Sequence, residues 1–206
     1  MKILGLSCSP RKTGNTATLV SEALDGAKNE GAEEVELFSL SGKEIKPCDG
    51  CRACSTTGKC HINDDMQTVF QKLIEADGII FGTPIYFYAM ASQAKALIDR
   101  TYSIRRPQKR LVNKVGGIIT VAGGIGRIDA VKDLYFYLAI NHMVAADYVA
   151  ATASENGGIR QDIKAMKSAW ELGREIAHLV KQEFKFPNEF EYGPSLSSFV
   201  TYKYKL

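Results

Sequence analysis

Residues 2–16 read KILGLSCSPRKTGNT, and this stretch decides the fold. An apolar run at residues 3–8 predicts a buried strand, and the residues that follow it, rich in helix and strand breakers, predict a tight loop. Past the loop, apolar residues recur every three or four positions and therefore share one face of a helix. They are Leu19, Val20, Ala23, Leu24 and Ala27. A strand, a loop and a helix form the first unit of an α/β fold.

The same alternation of strand and helix patterns continues along the chain. Further strands are predicted at residues 35–40, 78–82, 115–121 and 144–151. Helices are predicted from Met66, with Asp64 or Asp65 as N-cap, over residues 92–102 and 129–142, and from Ile163. Five strands alternating with five helices indicate a doubly wound parallel sheet with helices on both faces. We expect one α/β domain over residues 1–184, with a cysteine-rich loop at 41–64 and an aromatic tail at 185–206.

The composition is that of a globular protein without a strong charge bias. Of the 206 residues, 45% are hydrophobic and 24% are charged, and the net charge is +3. A protein that coats nucleic acid, or an acidic disordered chain, would be far less balanced. No apolar run approaches the roughly 18 to 20 residues of a membrane span, and the sequence opens on a strand pattern rather than a secretory segment. We therefore expect a cytoplasmic protein without nucleic-acid or membrane partners.

The loop after the first strand has the groups that bind a phosphate monoester. It matches neither GxGxxG nor GxxxxGK[ST], which disfavours dinucleotide and nucleoside triphosphate binding. It offers backbone amides at a helix N-terminus, the hydroxyls of Ser9, Thr13 and Thr16, the cation of Arg11 and the amide of Asn15. The alternative is an ordinary strand-to-helix turn in which Thr16 acts as the cap.

Four of the five cysteines form the most specific motif in the chain. They are Cys48, Cys51, Cys54 and Cys60, spaced x2, x2 and x5. Two successive x2 spacings let three thiolates converge on one compact object, and the fourth returns across Gly58. This pattern favours a [4Fe–4S] cluster, while a zinc ion or four unoccupied thiols remain alternatives. The fifth cysteine, Cys8, is expected to fill the core at the end of the first strand.

Two further segments resemble the flavodoxin-like FMN reductases. Residues 7–16, SCSPRKTGNT, resemble the loop with which this family holds the FMN phosphate. Residues 82–87, GTPIYF, followed by QAKALIDR at 93–100, are similar to the segment that wraps the flavin ring and starts the next helix. With the cysteine motif added, the chain resembles specifically the iron–sulfur flavoproteins of anaerobic prokaryotes, over about residues 1–150.

The resemblance implies a flavodoxin-like sheet of five strands in the order 2-1-3-4-5, with FMN and a [4Fe–4S] cluster as cofactors. The four clustered cysteines would bind the cluster. The implied phosphate contacts are Ser9, Arg11, Thr13, Asn15 and Thr16. The implied contacts to the flavin ring are Pro84, Ile85, Tyr86, Phe87, Ala122, Gly123 and Gly124. The aromatic residues at 86–88 could equally lie beneath a neighbouring subunit.

These cofactors imply an oxidoreductase that converts between one-electron and two-electron chemistry. A cluster passes one electron at a time, whereas FMN takes one or two. A ferredoxin-like donor would reduce the cluster, and electrons would pass through FMN to an acceptor such as dioxygen or peroxide. No catalytic side chain is needed, which agrees with the lack of a Ser-His-Asp or Cys-His set. Alternatives are an NAD(P)H-dependent FMN or quinone reductase without a working cluster, and a flavin-binding sensor or interaction module.

The order of the strands also points to a homo-oligomer, either a dimer or a tetramer. The cysteine loop follows the second strand, which lies at the edge of the sheet, away from the flavin site of the same chain. A shorter path would run to the flavin of an adjacent subunit. The last helix has two apolar stripes, and residues 185–206 hold six of the chain's aromatic side chains. We expect the tail to cover its own domain or to pack on a neighbour as an arm.

Overall fold

The computed structural model describes residues 1–187 and contains a parallel β-sheet with helices on both faces. The strands are β1 (Lys2–Ser7), β2 (Glu34–Ser39), β3 (Gly78–Tyr86), β4 (Ala89–Met90), β5 (Val115–Ala122) and β6 (Val144–Thr152). They lie in the order β2-β1-β3-β5-β6, and all neighbours along this path are parallel. The α/β architecture predicted from the alternating patterns is confirmed.

Seven α-helices connect the strands in the part of the chain that the structure describes. They are α1 (Asn15–Asn29), α2 (Cys54–Thr57), α3 (Met66–Glu75), α4 (Ser92–Arg100), α5 (Tyr102–Arg105), α6 (Arg127–Ile140) and α7 (Ile163–Lys181), and a 3-10 turn covers Gly158–Gln161. Five helices were predicted. The two additional ones, α2 and α5, have four residues each, too few for a periodic pattern to appear in the sequence.

The end of β3 differs from the prediction. The sequence predicted a strand that stops at Gly82, whereas β3 continues to Tyr86 and turns back into β4. The two strands are antiparallel and pair Ile85 with Met90 and Tyr86 with Ala89. The sheet therefore has a sixth strand. A strand of two residues is too short to show an alternating pattern in the sequence. The strand breakers Gly82 and Pro84 made the sequence predict an early end to β3.

Each face of the sheet buries a separate layer of apolar side chains. Leu4 faces the layer under α3, α4 and α6, while its neighbour Ile3 faces the layer under α1 and α7. This alternation of side chains, with both faces covered, explains why the strands read as continuous apolar runs. Cys8 lies in the first layer, where burial raises the pKa of its thiol to about 12. Its predicted role in the core is confirmed.

The longest helix, α7, packs both of its apolar stripes within the same chain, apart from the exposed Ile163 at its start. One stripe packs on the sheet, and the other packs on α1, where Gly26 and Gly173 let the two backbones approach. A Cβ on Gly173 would lie 1.6 Å from the carbonyl oxygen of Ala23, so a side chain cannot fit there. The stripes therefore do not require a second subunit. Within residues 1–187, every helix is too short or too polar to span a membrane.

The predicted aromatic tail falls mostly outside the described residues, which end at 187. Its first aromatic residue, Phe186, packs on its own domain. The backbone N–H of Phe186 donates to Asn113 Oδ1 at 2.9 Å, and the centroid of its ring lies 5.5 Å from that of His142. Whether residues 188–206 continue over this domain or form an arm stays a prediction.

Candidate functional site

The predicted phosphate loop connects β1 to α1 and leaves the first turn of α1 without a side-chain cap. The N-cap is Gly14, so the alternative in which Thr16 caps the helix is wrong. Ser9 and Thr16 are buried, and the Ser9 hydroxyl accepts a hydrogen bond from the backbone N–H of Arg11 at 3.1 Å. The side chains of Arg11 and Thr13 are exposed. The uncapped amides and the exposed cation form a suitable environment for an anion.

The side chain of Asn15 holds a second loop against the phosphate loop. Its Nδ2 donates to the carbonyl oxygen of Glu155 at 2.7 Å, and its Oδ1 accepts from the backbone N–H of Gly157 at 2.8 Å. Asn15 is therefore engaged with residues 155–159, which the sequence analysis did not connect with the site. Both Nδ2 and Oδ1 of Asn15 are hydrogen-bonded to this second loop, so Asn15 positions residues 155–159 beside the phosphate loop.

The predicted ring segment ends in a hairpin whose tip is formed by two aromatic residues. Phe87 and Tyr88 join β3 to β4 with φ angles of 45° and 70°. Two positive φ values are what a type I′ turn requires, and that turn normally uses Asn-Gly. Bulky side chains pay a strain of about 1–3 kcal/mol each in this region. Phe87 is nevertheless 96% exposed and Tyr88 58% exposed. Strained backbone that displays apolar rings to solvent indicates a functional segment.

An open depression of about 450 Å³ lies between this hairpin and the loop that follows β5. It is lined by Ile85, Phe87, Tyr88, Ala122, Gly123, Gly124 and Ile125. Five of the seven predicted ring contacts thus surround one space, while Pro84 is buried in β3 and Tyr86 is half exposed beside it. The loops touch at Gly126, where a Cβ would lie 2.7 Å from the carbonyl oxygen of Tyr88.

The four clustered cysteines line one cavity of about 280 Å³. All four are free thiols; Cys48 and Cys51 are exposed, whereas Cys54 and Cys60 are half buried. The short helix α2 begins at Cys54 and ends at Thr57, and its C-cap Gly58, with a φ of 66°, reverses the chain toward Cys60. Burial, together with the negative charge of the other three thiolates, raises the pKa of Cys54. Without a metal the shift favours the neutral thiol, whereas binding a metal would deprotonate it.

Four cysteine thiols can bind either of the two candidate metal groups, a zinc ion or a [4Fe–4S] cluster. A tetrahedral four-cysteine zinc site, with Zn–S of about 2.3 Å, brings its sulfurs within about 3.8 Å of each other. Within residues 1–187, Asp49, Cys51 and His61 form a group whose potential ligand atoms all lie within 4.8 Å of one another. In a [4Fe–4S] cube each thiolate binds a different corner, so the sulfurs stand farther apart. The donor set, four cysteine thiols around one cavity, is one that such a cluster binds.

A buried ion pair that the sequence analysis missed holds the cysteine loop in place. Arg100, the last residue of α4, forms a two-pronged contact with Asp64, with N–O distances of 2.8 and 3.0 Å. Both side chains are fully buried. Burial alone would raise the pKa of Asp64, but the hydrogen bonds from Arg100 and from two backbone amides lower it. One of those amides belongs to Met66, the first residue of α3, and the N-cap of that helix is Asp65, one of the two residues predicted for it.

Burial alone would lower the pKa of Arg100, but its bonds to Asp64 and Cys60 raise it. Arg100 belongs to the segment at 93–100 that resembles the flavin-binding family, yet nothing in its spacing pointed to the cysteines. Its partner Asp64 lies 36 residues earlier in the chain.

The two candidate cofactor sites lie at opposite ends of α4. The hairpin of the ring segment leads into Ser92, the first residue of the helix, and the cysteine cavity is lined by Asp99 and Arg100 at its end. At 1.5 Å per residue, the helix separates these ends by roughly 13 Å. The cysteine cavity and the ring depression share no lining residue.

Comparison with known protein families agrees with this arrangement. A family model described as NADPH-dependent FMN reductase matches residues 1–157. An iron-sulfur flavoprotein of Methanocaldococcus jannaschii is 38% identical over 191 residues, covering 88% of this chain and 98% of that protein. An iron-sulfur flavoprotein of Methanosarcina thermophila is 34% identical over 188 residues, covering 88% of this chain and 96% of that protein.

Solved structures confirm the flavodoxin-like fold class. A flavone reductase superposes with a TM-score of 0.68 at 25% sequence identity, covering 88% of this chain and 63% of that chain. An archaeal flavodoxin superposes with a TM-score of 0.58 at 16% identity, covering 88% of this chain and 99% of that chain. The second likeness concerns the fold alone.

The buried pair predicts a large and pH-dependent effect of Asp64→Asn on stability. Removing one partner of a buried ion pair leaves the other uncompensated, so we expect the free energy of unfolding to fall by about 3–5 kcal/mol at neutral pH. The pKa of Asp64 is lowered in the folded state, so its contribution is present above the unfolded pKa of about 3.9 and disappears as the pH falls further. The difference between wild type and variant should therefore shrink below about pH 4. Urea unfolding at several pH values measures this.

The control is Lys95→Gln on the same helix, because the Lys95–Asp99 pair is exposed. Exposed pairs of this kind contribute less than about 1 kcal/mol. Equal losses in the two variants would contradict the role assigned to the Arg100–Asp64 pair.

Proposed function

The chain belongs to the NADPH-dependent FMN reductase family, and on this premise we propose that it passes single electrons from a protein donor through a [4Fe–4S] cluster to FMN. That it is an FMN-type redox flavoprotein and an oxidoreductase follows from the family and from its iron–sulfur flavoprotein relatives. The proposal concerns the cluster, the donor and the acceptor. The observation that carries it is the single cavity lined by four free thiols beside a buried guanidinium.

Three loops at the same edge of the sheet would hold FMN. Ser9, Arg11, Thr13 and Thr16, with the uncapped amides of α1, would bind the phosphate, and Asn15 would fix the neighbouring loop. The depression between the hairpin and the loop after β5 would hold the ring. FMN supplies the redox chemistry when bound, because its ring accepts and releases one or two electrons. The protein's part is to bind the phosphate, orient the ring and leave one side of it open to an acceptor.

The thiolates of Cys48, Cys51, Cys54 and Cys60 would bind the cluster. Cys54 and Cys60 are shielded from water, whereas Cys48 and Cys51 lie at the surface. A redox centre in this position can exchange electrons with an external carrier. No side chain has to move a proton for that exchange. We propose that dioxygen or peroxide accepts the electrons at the open ring depression.

A basic loop beside the cysteine cavity favours an acidic electron carrier such as ferredoxin. Residues 105–110, RRPQKR, begin at the last residue of α5, and Tyr102 of α5 lines the cavity. The loop contacts the cysteine segment, since a Cβ on Gly58 would lie 2.7 Å from the side chain of Gln108. Arg52 and Lys59 add exposed cations on the cysteine loop itself. Such a surface attracts an acidic partner to the cavity and orients it there.

The separation of the two sites supports a homo-oligomer, a dimer or a tetramer, in which the cluster of one subunit lies near the FMN of another. Electron tunnelling weakens steeply with distance, and α4 keeps the two sites of one chain apart. The exposed rings of Phe87 and Tyr88 provide an apolar surface at the flavin end. Burying them on a second copy would offset the cost of their strained turn.

Chemical analysis after anaerobic purification tests the cluster directly. We expect about four iron and about four acid-labile sulfide atoms per chain, together with one FMN. Cys60→Ala should abolish the iron but keep the flavin, because the two sites share no residue. The matched control is Cys8→Ala, which removes a buried thiol outside the cavity and should keep both.

One zinc and no sulfide in the wild-type protein would rule out the cluster. Rapid bleaching of the flavin by NADPH alone in Cys60→Ala would support the alternative of an NAD(P)H-dependent reductase.

The phosphate loop predicts that Arg11→Gln weakens binding of FMN but not of riboflavin. A charge-assisted hydrogen bond contributes about 1.5–3 kcal/mol, so the dissociation constant for FMN should rise roughly 10- to 100-fold. Riboflavin lacks the phosphate, and its affinity should not change. Quenching of flavin fluorescence by the apoprotein measures both constants. Lys28→Gln, at the other end of α1, is the control; a parallel loss for the two flavins would refute the assignment of Arg11.

The oligomer predicts an unusual effect of the double change Phe87→Asn and Tyr88→Gly. Asn-Gly is the preferred pair for a turn with two positive φ angles, so the isolated subunit should be at least as stable as wild type. Its association should be weaker, because the apolar rings are gone. Analytical ultracentrifugation over a concentration series measures this, with Ile163→Asn as the control for an exposed apolar residue elsewhere. A wild-type monomer with full electron transfer would disprove the oligomer proposal.

A further inference from the structure

We infer that Arg100 sets the reduction potential of the proposed cluster through a hydrogen bond to one of its ligands, Cys60. The inference rests on the proposed function, since it requires a cluster in the cavity. It assigns a role in electron transfer to Arg100, which neither the spacing of the cysteines nor the resemblance at residues 93–100 predicts. Arg100 is a positioning and tuning residue, because it would contact the ligand rather than the iron.

The guanidinium of Arg100 has five N–H donors, and the structure provides an acceptor for each of them. Nη1 donates to the carbonyl oxygen of Lys46 and to Asp64 Oδ2, both at 2.8 Å. Nη2 donates to the carbonyl oxygen of Ile62 at 3.2 Å and to Asp64 Oδ1 at 3.0 Å. The remaining donor, Nε, lies 3.2 Å from Cys60 Sγ. Two of these bonds hold backbone carbonyls of the loop, two hold the Asp64 carboxylate, and the fifth is directed at a sulfur.

A neutral thiol is a weak acceptor for such a donor, whereas a thiolate is a strong one. The bond would therefore become strong when Cys60 binds iron as a thiolate. The guanidinium is fully buried, so water does not screen its charge from the sulfur. Hydrogen bonds to ligand sulfurs are among the factors that set the potentials of iron–sulfur centres.

The direction in which Arg100 shifts the reduction potential follows from its positive charge. Reduction adds one electron and no proton, so the reduced cluster and its ligands carry one more negative charge. A cation at Cys60 stabilises the reduced state more than the oxidised state and raises the potential. Asp64 acts in the opposite sense, because its carboxylate is the counter-charge of Arg100 and lies in the same buried cluster.

The test compares Arg100→Met with Asp64→Asn by potentiometric titration of the anaerobic holoprotein, with dithionite as reductant and the cluster signal followed by electron paramagnetic resonance. Both variants break the same ion pair and loosen the same loop, but they remove opposite charges. Arg100→Met should lower the potential, with the reduced-to-oxidised ratio at a fixed potential falling at least tenfold, or about 59 mV for one electron. Asp64→Asn should raise it.

A measurement on the wild-type protein covers the case in which Arg100→Met fails to fold or to retain iron. Protein grown with ¹⁵N-labelled arginine should show a ¹⁵N hyperfine coupling in pulsed electron paramagnetic resonance of the reduced cluster, because Nε bonds directly to a ligand sulfur. Arg105→Lys, in the neighbouring helix α5, is the control and should leave the coupling unchanged.

The outcomes separate this inference from the proposed function. A wild-type protein without iron and sulfide would overturn both. An intact cluster whose potential shifts in the same direction in both variants, or in neither, would overturn the tuning role and leave the proposed electron relay standing. Absence of a ¹⁵N coupling in a wild-type protein with full iron content would do the same.

Discussion

The parallel ladder of β1, β3 and β5 is the constraint on which the flavin site depends. Ser7 pairs with Gly82, and the ladder extends by a hydrogen bond of 2.8 Å from the backbone N–H of Cys8 to the carbonyl oxygen of Gly82. Pro84 in turn pairs with Val121. Because these pairings are in register, the three loops that follow the strands begin at one edge of the sheet. The absence of a side chain at Gly82 lets α1 lie close, since a Cβ there would be 2.4 Å from Val20.

The cysteine loop depends on a different kind of interaction. Most of residues 41–65 are exposed, so the loop has little apolar surface with which to pack on the domain. Its two ends are joined instead by a buried charge, since Arg100 bonds to Lys46 at one end and to Ile62 and Asp64 at the other. A fully satisfied buried network of this kind specifies one geometry, whereas a partial one would be costly. The loop thus gains a fixed shape without a core of its own.

The parts of the structure that follow from local pattern were predictable, and those that follow from distant pairing were not. Strands buried on both faces appear as apolar runs, and four cysteines at x2, x2 and x5 spacing are conspicuous in any context. The hairpin at Phe87 was not predictable, because Phe and Tyr are unusual residues for a turn that requires two positive φ angles. Arg100 and Asp64 lie on separate elements, and only the packing of α4 against the loop brings them together. The resemblance implied a phosphate contact at Asn15, whereas in the structure its side-chain amide is hydrogen-bonded to residues 155–159.

The helix α4 connects these two systems and fixes the distance between them. Its start is tied to β3, where the backbone N–H of Ala91 donates to Thr83 Oγ1 at 3.2 Å and to the carbonyl oxygen of Pro84 at 3.1 Å. Its end is tied to the cysteine loop by Arg100. The cavity and the ring depression are therefore tied to the two ends of one helix. Phe87 and Tyr88, the exposed and strained tip of the hairpin, lie at the opposite end of this helix from the cavity, beside the ring depression.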